Sequence, residues 1–348
     1  MNPSRMKSPL LLMGVPGSPY TRKMLALLRY RRLPYELLYR NSPRLNALPR
    51  PKVELIPIFY LPDDDGVVQA VTDSTPLIRR FESGFSGRPV RPHDPVIAFI
   101  DSVLEDYGDE WLTKPMFHYR WHYADDIHKA GEILPRWRNI TGPEDDAHAA
   151  SAQFSRRQID RLRYVGSSPA TAAVIENSYK RFLDVFSAHL QVQPFLLGAR
   201  PGAGDFGIYG QMTQLAHFDP TPAALTLARA PRVYAWVGLV DDLSGLAPTD
   251  DQWVTRDALP PTLIAILAEA ARTYLPVMLA NARALMAKSD QVRTTIDGQP
   301  WEQNAFPYQG KCLKWLREEF AALKPADQEA ATRLLDQAGL CALVHEKL

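Results

Sequence analysis

Ser18 is the residue of this chain best placed to hold an anion. It stands in Gly17-Ser18-Pro19-Tyr20-Thr21-Arg22-Lys23, after the apolar run Pro9 to Val15 and at the start of a helical pattern. Serine is a favoured N-cap, and proline suits the first helical position. The first turn of a helix carries unpaired backbone N–H groups and the positive end of the helix dipole. A hydroxyl there stabilises an anion, a thiolate included. Two roles therefore share one residue: Ser18 caps the helix, or it caps the helix and also holds a bound thiol in its ionised form. Nucleophilic attack by the serine itself is not expected, because Pro16 and Tyr20 occupy the glycine positions of a Gly-x-Ser-x-Gly elbow.

Three other patterns invite chemistry and read more simply. Asp63-Asp64-Asp65-Gly66 lies between two apolar runs, the pattern of a hairpin turn rather than a metal site. His118 and His122 have i, i+4 spacing, but no Glu follows the first and no third ligand is evident, so no metal is expected. Gly202-x-Gly204-x-x-Gly207 matches the dinucleotide fingerprint letter for letter, yet it lacks a strand before it and an acid about 20 residues on in a βαβ unit.

The elements that must carry these residues follow from periodicity. Residues 9–15 read as a buried strand, 19–32 as a helix with Met24, Leu27 and Leu28 on one face, and 35–39, 56–61 and 67–71 as further strands. A short helix starts near Ser74. Residues 83–95, rich in Gly, Pro and Arg, read as a linker. Helices are expected near 95–111, 114–134, 146–164, 169–190, 204–217 and 231–243. After a second break at 246–261 the pattern predicts a helix over 262–288, a small hairpin over 292–301, and helices near 308–323 and 326–345. The chain has 348 residues, a net charge of +1 and two cysteines. That charge argues against a nucleic-acid or membrane-surface partner, no apolar run approaches a membrane span, and the cysteine count fits a reducing cytoplasm.

This order, a small mixed domain (residues 1–85), a linker, an all-helical domain (95–246) and a helical extension (260–348), resembles the glutathione transferase superfamily. Ser18-Pro19-Tyr20-Thr21 is similar to the Cys-Pro-Tyr-Cys site of glutaredoxins with hydroxyls for sulfurs, which points to a serine-type, bacterial-like member. Ile56-Pro57 stands where the family has a cis-proline, and Asp73-Ser74 resembles the acid–serine pair that grips the γ-glutamyl end. Phe195 to Tyr209 is similar to the family's buried N-capping box, with Gly202 where a Ser or Thr usually precedes the Asp (Asp205). The expected fold is α/β plus all-α: a thioredoxin-like domain, the all-helical transferase domain and a mostly helical extension.

The resemblance implies an enzyme with glutathione as co-substrate, whose thiolate attacks an electrophilic carbon of a hydrophobic or aromatic molecule. Ser18 would stabilise the thiolate; Ile56, Pro57, Asp73 and Ser74 would hold the tripeptide, and Arg22 would attract it. Tyr20, Trp111, Phe117, Tyr119, Arg120 and Tyr123 are the candidates to line the second-substrate pocket. A homodimer is implied as well. The rival reading is a non-catalytic binding or scaffold protein on the same fold.

Overall fold

The computed structural model describes residues 9–346. Strand β1 (Leu10–Met13), helix α1 (Pro19–Tyr30) and strand β2 (Tyr35–Leu38) form a parallel pair joined by a crossover helix. β3 (Ile58–Pro62) runs antiparallel to β1 and pairs with β4 (Val68–Val71), giving the order β2-β1-β3-β4. The Asp63–Gly66 segment is the β3–β4 turn: Asp63 Oδ1 accepts from the Asp65 and Val67 N–H groups, and Gly66 takes φ +86°. Helix α2 (Ser74–Gly84) follows. Leu10, Leu12, Phe59 and Leu61 face α1 and α2, while Met13, Leu38, Ile58 and Tyr60 form a smaller cluster on the other sheet face.

The remaining chain is mainly helical: α3 (Pro95–Glu110), α4 (Thr113–His122), α5 (Ala124–Arg136), α6 (Glu144–Ile159), α7 (Ala172–His189), α8 (Ala203–Met212), α9 (Pro220–Arg229) and α10 (Pro231–Val240). The helix expected over 114–134 divides at Tyr123, whose ψ of 139° is extended. A π-helical stretch, Thr213–Phe218, continues α8. The extension comprises α11 (Pro261–Met286), the hairpin β5 (Gln291–Ile296) and β6 (Gln299–Asn304), then α12 (Pro307–Ala321), α13 (Pro325–Gln337) and α14 (Ala342–His345). Its turn residues Asp297 and Gly298 both take positive φ, as a two-residue hairpin loop requires.

The extension is not an appendage. One continuous apolar core runs from Leu10 to Leu343 and includes Leu263, Ile266 and Leu313. The rings of Trp111 on α4's approach and Trp301 on β6 lie 5.5 Å apart within it. By length and composition α11 is apolar enough to cross a membrane, contrary to the sequence expectation, but 67% of its apolar window is buried in this core.

Helix α3 lies at the centre and presents acids on successive turns. Asp101 explains the glycine that replaces a capping hydroxyl. Its carboxylate accepts from the Ala203 N–H (3.0 Å) and the Gly204 N–H (2.9 Å), so it caps α8 from outside. A Cβ at Gly202 would collide with that carboxylate. Asp205 supplies the other half of the box, accepting from the N–H groups of Gly202 and Leu196, both at 2.9 Å. The Gly202–Gly207 glycines thus serve close packing of α8 on α3, and the N–H groups of Ala203 and Gly204 are already committed.

Asp106 and Glu110 point toward the extension. Asp106 accepts a hydrogen bond from Tyr274 of α11. Burial pushes the Asp106 carboxyl up to about 7 and Glu110 up to about 8, with repulsion from Asp109 adding to both; Tyr274 pulls Asp106 down, and Gln309 and Lys114 pull Glu110 down. Unfolded, these groups titrate at about 3.9 and 4.3. Between the two sets of values the native state keeps protons that the unfolded chain has lost. The stability they contribute is therefore complete near pH 4 and is lost as pH rises through about 7 to 8. Thermal melts should show a higher Tm at about pH 5 than at about pH 8.5, and Asp106→Asn with Glu110→Gln should flatten the profile. A Tm that rises across this range would contradict the assignment.

Candidate functional site

The loop from β1 into α1 ends at Ser18, which is 8% exposed. Its φ and ψ of −95° and 120° are those of an N-cap, and Oγ accepts from the Thr21 N–H at 3.2 Å. The hydroxyl proton goes to the Ile56 carbonyl, 3.3 Å away. Ile56–Pro57 is a cis peptide. The mouth of α1 and the residue before β3 are therefore in direct contact. No acid stands in the first turn of α1 to oppose an anion there.

A buried clamp fixes this mouth. The Arg120 guanidinium forks onto Asp219, with Nε 2.9 Å from Oδ1 and Nη2 2.9 Å from Oδ2. Its Nη1 donates to the Gly17 carbonyl (3.1 Å) and its Nη2 to Gln214 Oε1 (2.7 Å). Gln214 in turn donates to the Pro16 carbonyl (3.2 Å). Both carbonyls preceding Ser18 are thus held, with Gln214 supplied by the π-helical stretch after α8. Burial pushes the Asp219 carboxyl up to about 6, against the pull of Arg120, which leaves it ionised at neutral pH.

The second end of the site is Asp73-Ser74. Asp73 takes φ +85° and its carboxylate does not cap α2. Tyr308 of α12 donates to its Oδ1 at 2.8 Å, and Lys311 Nζ stands 3.7 Å from Oδ2. Ser74 is buried and accepts from Lys23 Nζ at 3.1 Å. Lys23, on α1 and fully buried, also reaches Glu105 Oε1 (2.7 Å) and Asp109 Oδ2 (2.6 Å) of α3. Burial disfavours its ammonium, but the two carboxylates outweigh that, and Lys23 titrates above its ordinary range.

Several predicted residues lie elsewhere. Arg22 is paired with Asp241 at 2.8 Å, beyond α10, in a partly exposed ion pair. Trp111 and Tyr119 are core aromatics, 1% and 2% exposed, with no face left for a substrate. Arg120 is the clamp just described rather than a pocket wall. Tyr20 donates to the Asp109 carbonyl (3.1 Å), and burial holds its phenol well above the usual range. Tyr123 donates to Glu176 (2.6 Å), and Phe117 is half-buried against Trp121. Residues 111–123 are enclosed by several elements at once: Trp111 meets Trp301 of β6, Tyr119 packs on Tyr179 of α7, and Arg120 pairs with Asp219.

His118 and His122 stack on each other at 4.6 Å. His118 contacts Ser167 Oγ (2.8 Å) and Glu176 (3.4 Å), an outline of a nucleophilic triad. The Ser167 and Ser168 N–H groups are bonded to the Leu162 carbonyl and to Thr171 Oγ1, so neither is available to an oxyanion. Among the described residues no group of three His, Cys, Asp or Glu side chains is arranged to hold a metal ion.

Sequence reasoning missed Lys23, the clamp partners Gln214 and Asp219, and the α12 residues. A signal for the first existed: Asp101, Glu105 and Asp109 recur every four residues on one helix face, and Lys23 shares a face with Leu27 and Tyr30 of α1.

Residues 12–89 match the family model described as glutathione S-transferase, N-terminal domain. No curated protein matches the chain. Similar solved structures include a GST-like protein from Pseudomonas syringae (16% identity, 67% of each chain covered, TM-score 0.43). A glutathione S-transferase from Methylobacterium radiotolerans, in complex with glutathione sulfonate, is 17% identical over 72% of this chain and 94% of its own (TM-score 0.39). A Tau class glutathione S-transferase from mango is 18% identical over 75% and 96% (TM-score 0.41). The matched segment, with its β2-β1-β3-β4 sheet, is thus similar to a glutathione S-transferase N-terminal domain over residues 12–89.

Proposed function

We propose that this protein binds glutathione between the mouth of α1 and the start of α2 and activates its thiol. The observation that carries the reading is the contact between Ser18 and the Ile56 carbonyl. At 3.3 Å this is a long bond for an O–H donor. A cysteinyl N–H pairing with the Ile56 carbonyl, as an added strand would, replaces that donor and releases the Ser18 O–H. The released hydroxyl then donates to the sulfur, beside the positive end of α1. A free thiol has a pKa of about 8.5, and helix N-termini lower it to about 3.5–7.5. The thiolate attacks an electrophilic carbon, the new C–S bond forms, and the leaving group departs with its electron pair.

A second reading, glutathione-independent binding on the same fold, has one observation in its favour: Ser18 is nearly covered and its proton is already committed within the chain. The two separate by titration of the full chain with glutathione, followed by the ultraviolet absorbance of thiolate. The first reading expects saturable binding with the thiol pKa lowered. Ser18→Ala should return that pKa upward by about one to two units, since a hydrogen bond to a charged group is worth about 1.5–3 kcal/mol. Loss of the cap should also cost about 1 kcal/mol of stability. An unchanged thiol pKa in the variant assigns Ser18 to capping alone, and absence of binding selects the second reading.

The clamp gives an independent expectation. Arg120→Ala leaves Asp219 buried without its partner and should destabilise the fold by about 3–5 kcal/mol in chemical denaturation. Arg120→Lys keeps the charge but loses the fork, and should recover only part of that loss. A variant as stable as the parent would contradict the role given to the clamp.

A further inference from the structure

Helix α12 brings a cation and two aromatic rings to the start of α2. Lys311 Nζ sits 4.2 Å from the Trp315 ring centroid and 5.7 Å from that of Tyr308. Attraction to the ring faces steadies the ammonium at one place. Its side chain remains 52% exposed, and among the described residues it makes no hydrogen bond. Its separation of 3.7 Å from Asp73 is an ion pair without a hydrogen bond. Tyr308, by contrast, donates to Asp73 at 2.8 Å and fixes that carboxylate away from the capping position.

The result is a carboxylate and an ammonium set side by side, each with unfilled hydrogen-bonding capacity. Lysine has three donors, and a carboxylate has about four acceptor sites. Such a pair complements an α-amino acid group, which presents one ammonium and one carboxylate on the same carbon. We propose that α12 completes the ligand site: Lys311 binds the α-carboxylate of the γ-glutamyl residue of glutathione, and Tyr308 holds Asp73 toward its ammonium. Without ligand the two side chains neutralise each other; with ligand each exchanges its partner for the opposite group on the tripeptide. This assignment rests on the reading under Proposed function, and it adds the extension to the binding machinery.

The test is calorimetric titration of the full chain with S-methylglutathione, which keeps the γ-glutamyl group and has no ionisable thiol. The parent should bind it. Lys311→Ala should weaken binding about tenfold, the size expected for one charge-assisted hydrogen bond, and Lys311→Arg should restore most of it. Tyr308→Phe should weaken binding less. Equal affinity in Lys311→Ala and the parent overturns this inference and leaves the proposed function standing. Tighter binding in Lys311→Ala or Tyr308→Phe also overturns it, because α12 then excludes the ligand. No binding to the parent of either S-methylglutathione or glutathione overturns both.

Discussion

A lysine ammonium with no exposure to water sets the terms for this molecule. Lys23 has left solvent completely, which is tolerable only because Glu105, Asp109 and Ser74 surround it at 2.6–3.1 Å. Removing one partner of such a buried set costs about 3–5 kcal/mol, whereas forming it contributes much less net stability. Its effect is geometric. One charge ties α1, α2 and α3 together, so the mouth of α1 and the start of α2 cannot move independently. Both ends of the proposed site inherit their spacing from that tie.

Helix α3 extends the same logic along its length. Asp101 caps α8, Glu105 and Asp109 take Lys23, and Asp106 takes Tyr274 of the extension. Acids along one helix thus recruit α8, α1 and the extension. The extension consequently enters the core instead of trailing from it, and Glu319 of α12 binds Arg79 of α2 and Arg91 in the linker. Charge pairing across these elements explains how a long C-terminal segment comes to rest beside Asp73.

Much of the fold was legible in the chain because it depends on local signals. Period-two and helical patterns place the strands and most helices, Asp63–Gly66 and Asp297–Gly298 mark their hairpins, and Ser18-Pro19 announces the start of α1. The missing capping hydroxyl at Gly202 was also visible, but its replacement was not, since Asp101 lies about 100 residues earlier and meets α8 only through tertiary packing. The same limit applies to the pocket residues. Trp111, Tyr119 and Arg120 carry the side chains that a substrate wall would use, and only tertiary packing against Trp301, Tyr179 and Asp219 turns them into core and clamp. The ion pair of Arg22 is hidden from sequence for a related reason: its partner, Asp241, lies 219 residues away.

The account stands on glutathione lying along Ser18, Ile56 and Asp73-Ser74, as the tie at Lys23 spaces them. A crystal structure of the full chain with bound glutathione measures this directly. The account predicts the sulfur within hydrogen-bond distance of Ser18 Oγ, the cysteinyl backbone paired with Ile56, and the γ-glutamyl end against Asp73. A tripeptide bound at another face of the protein, with the Ser18 hydroxyl still on the Ile56 carbonyl, would contradict it.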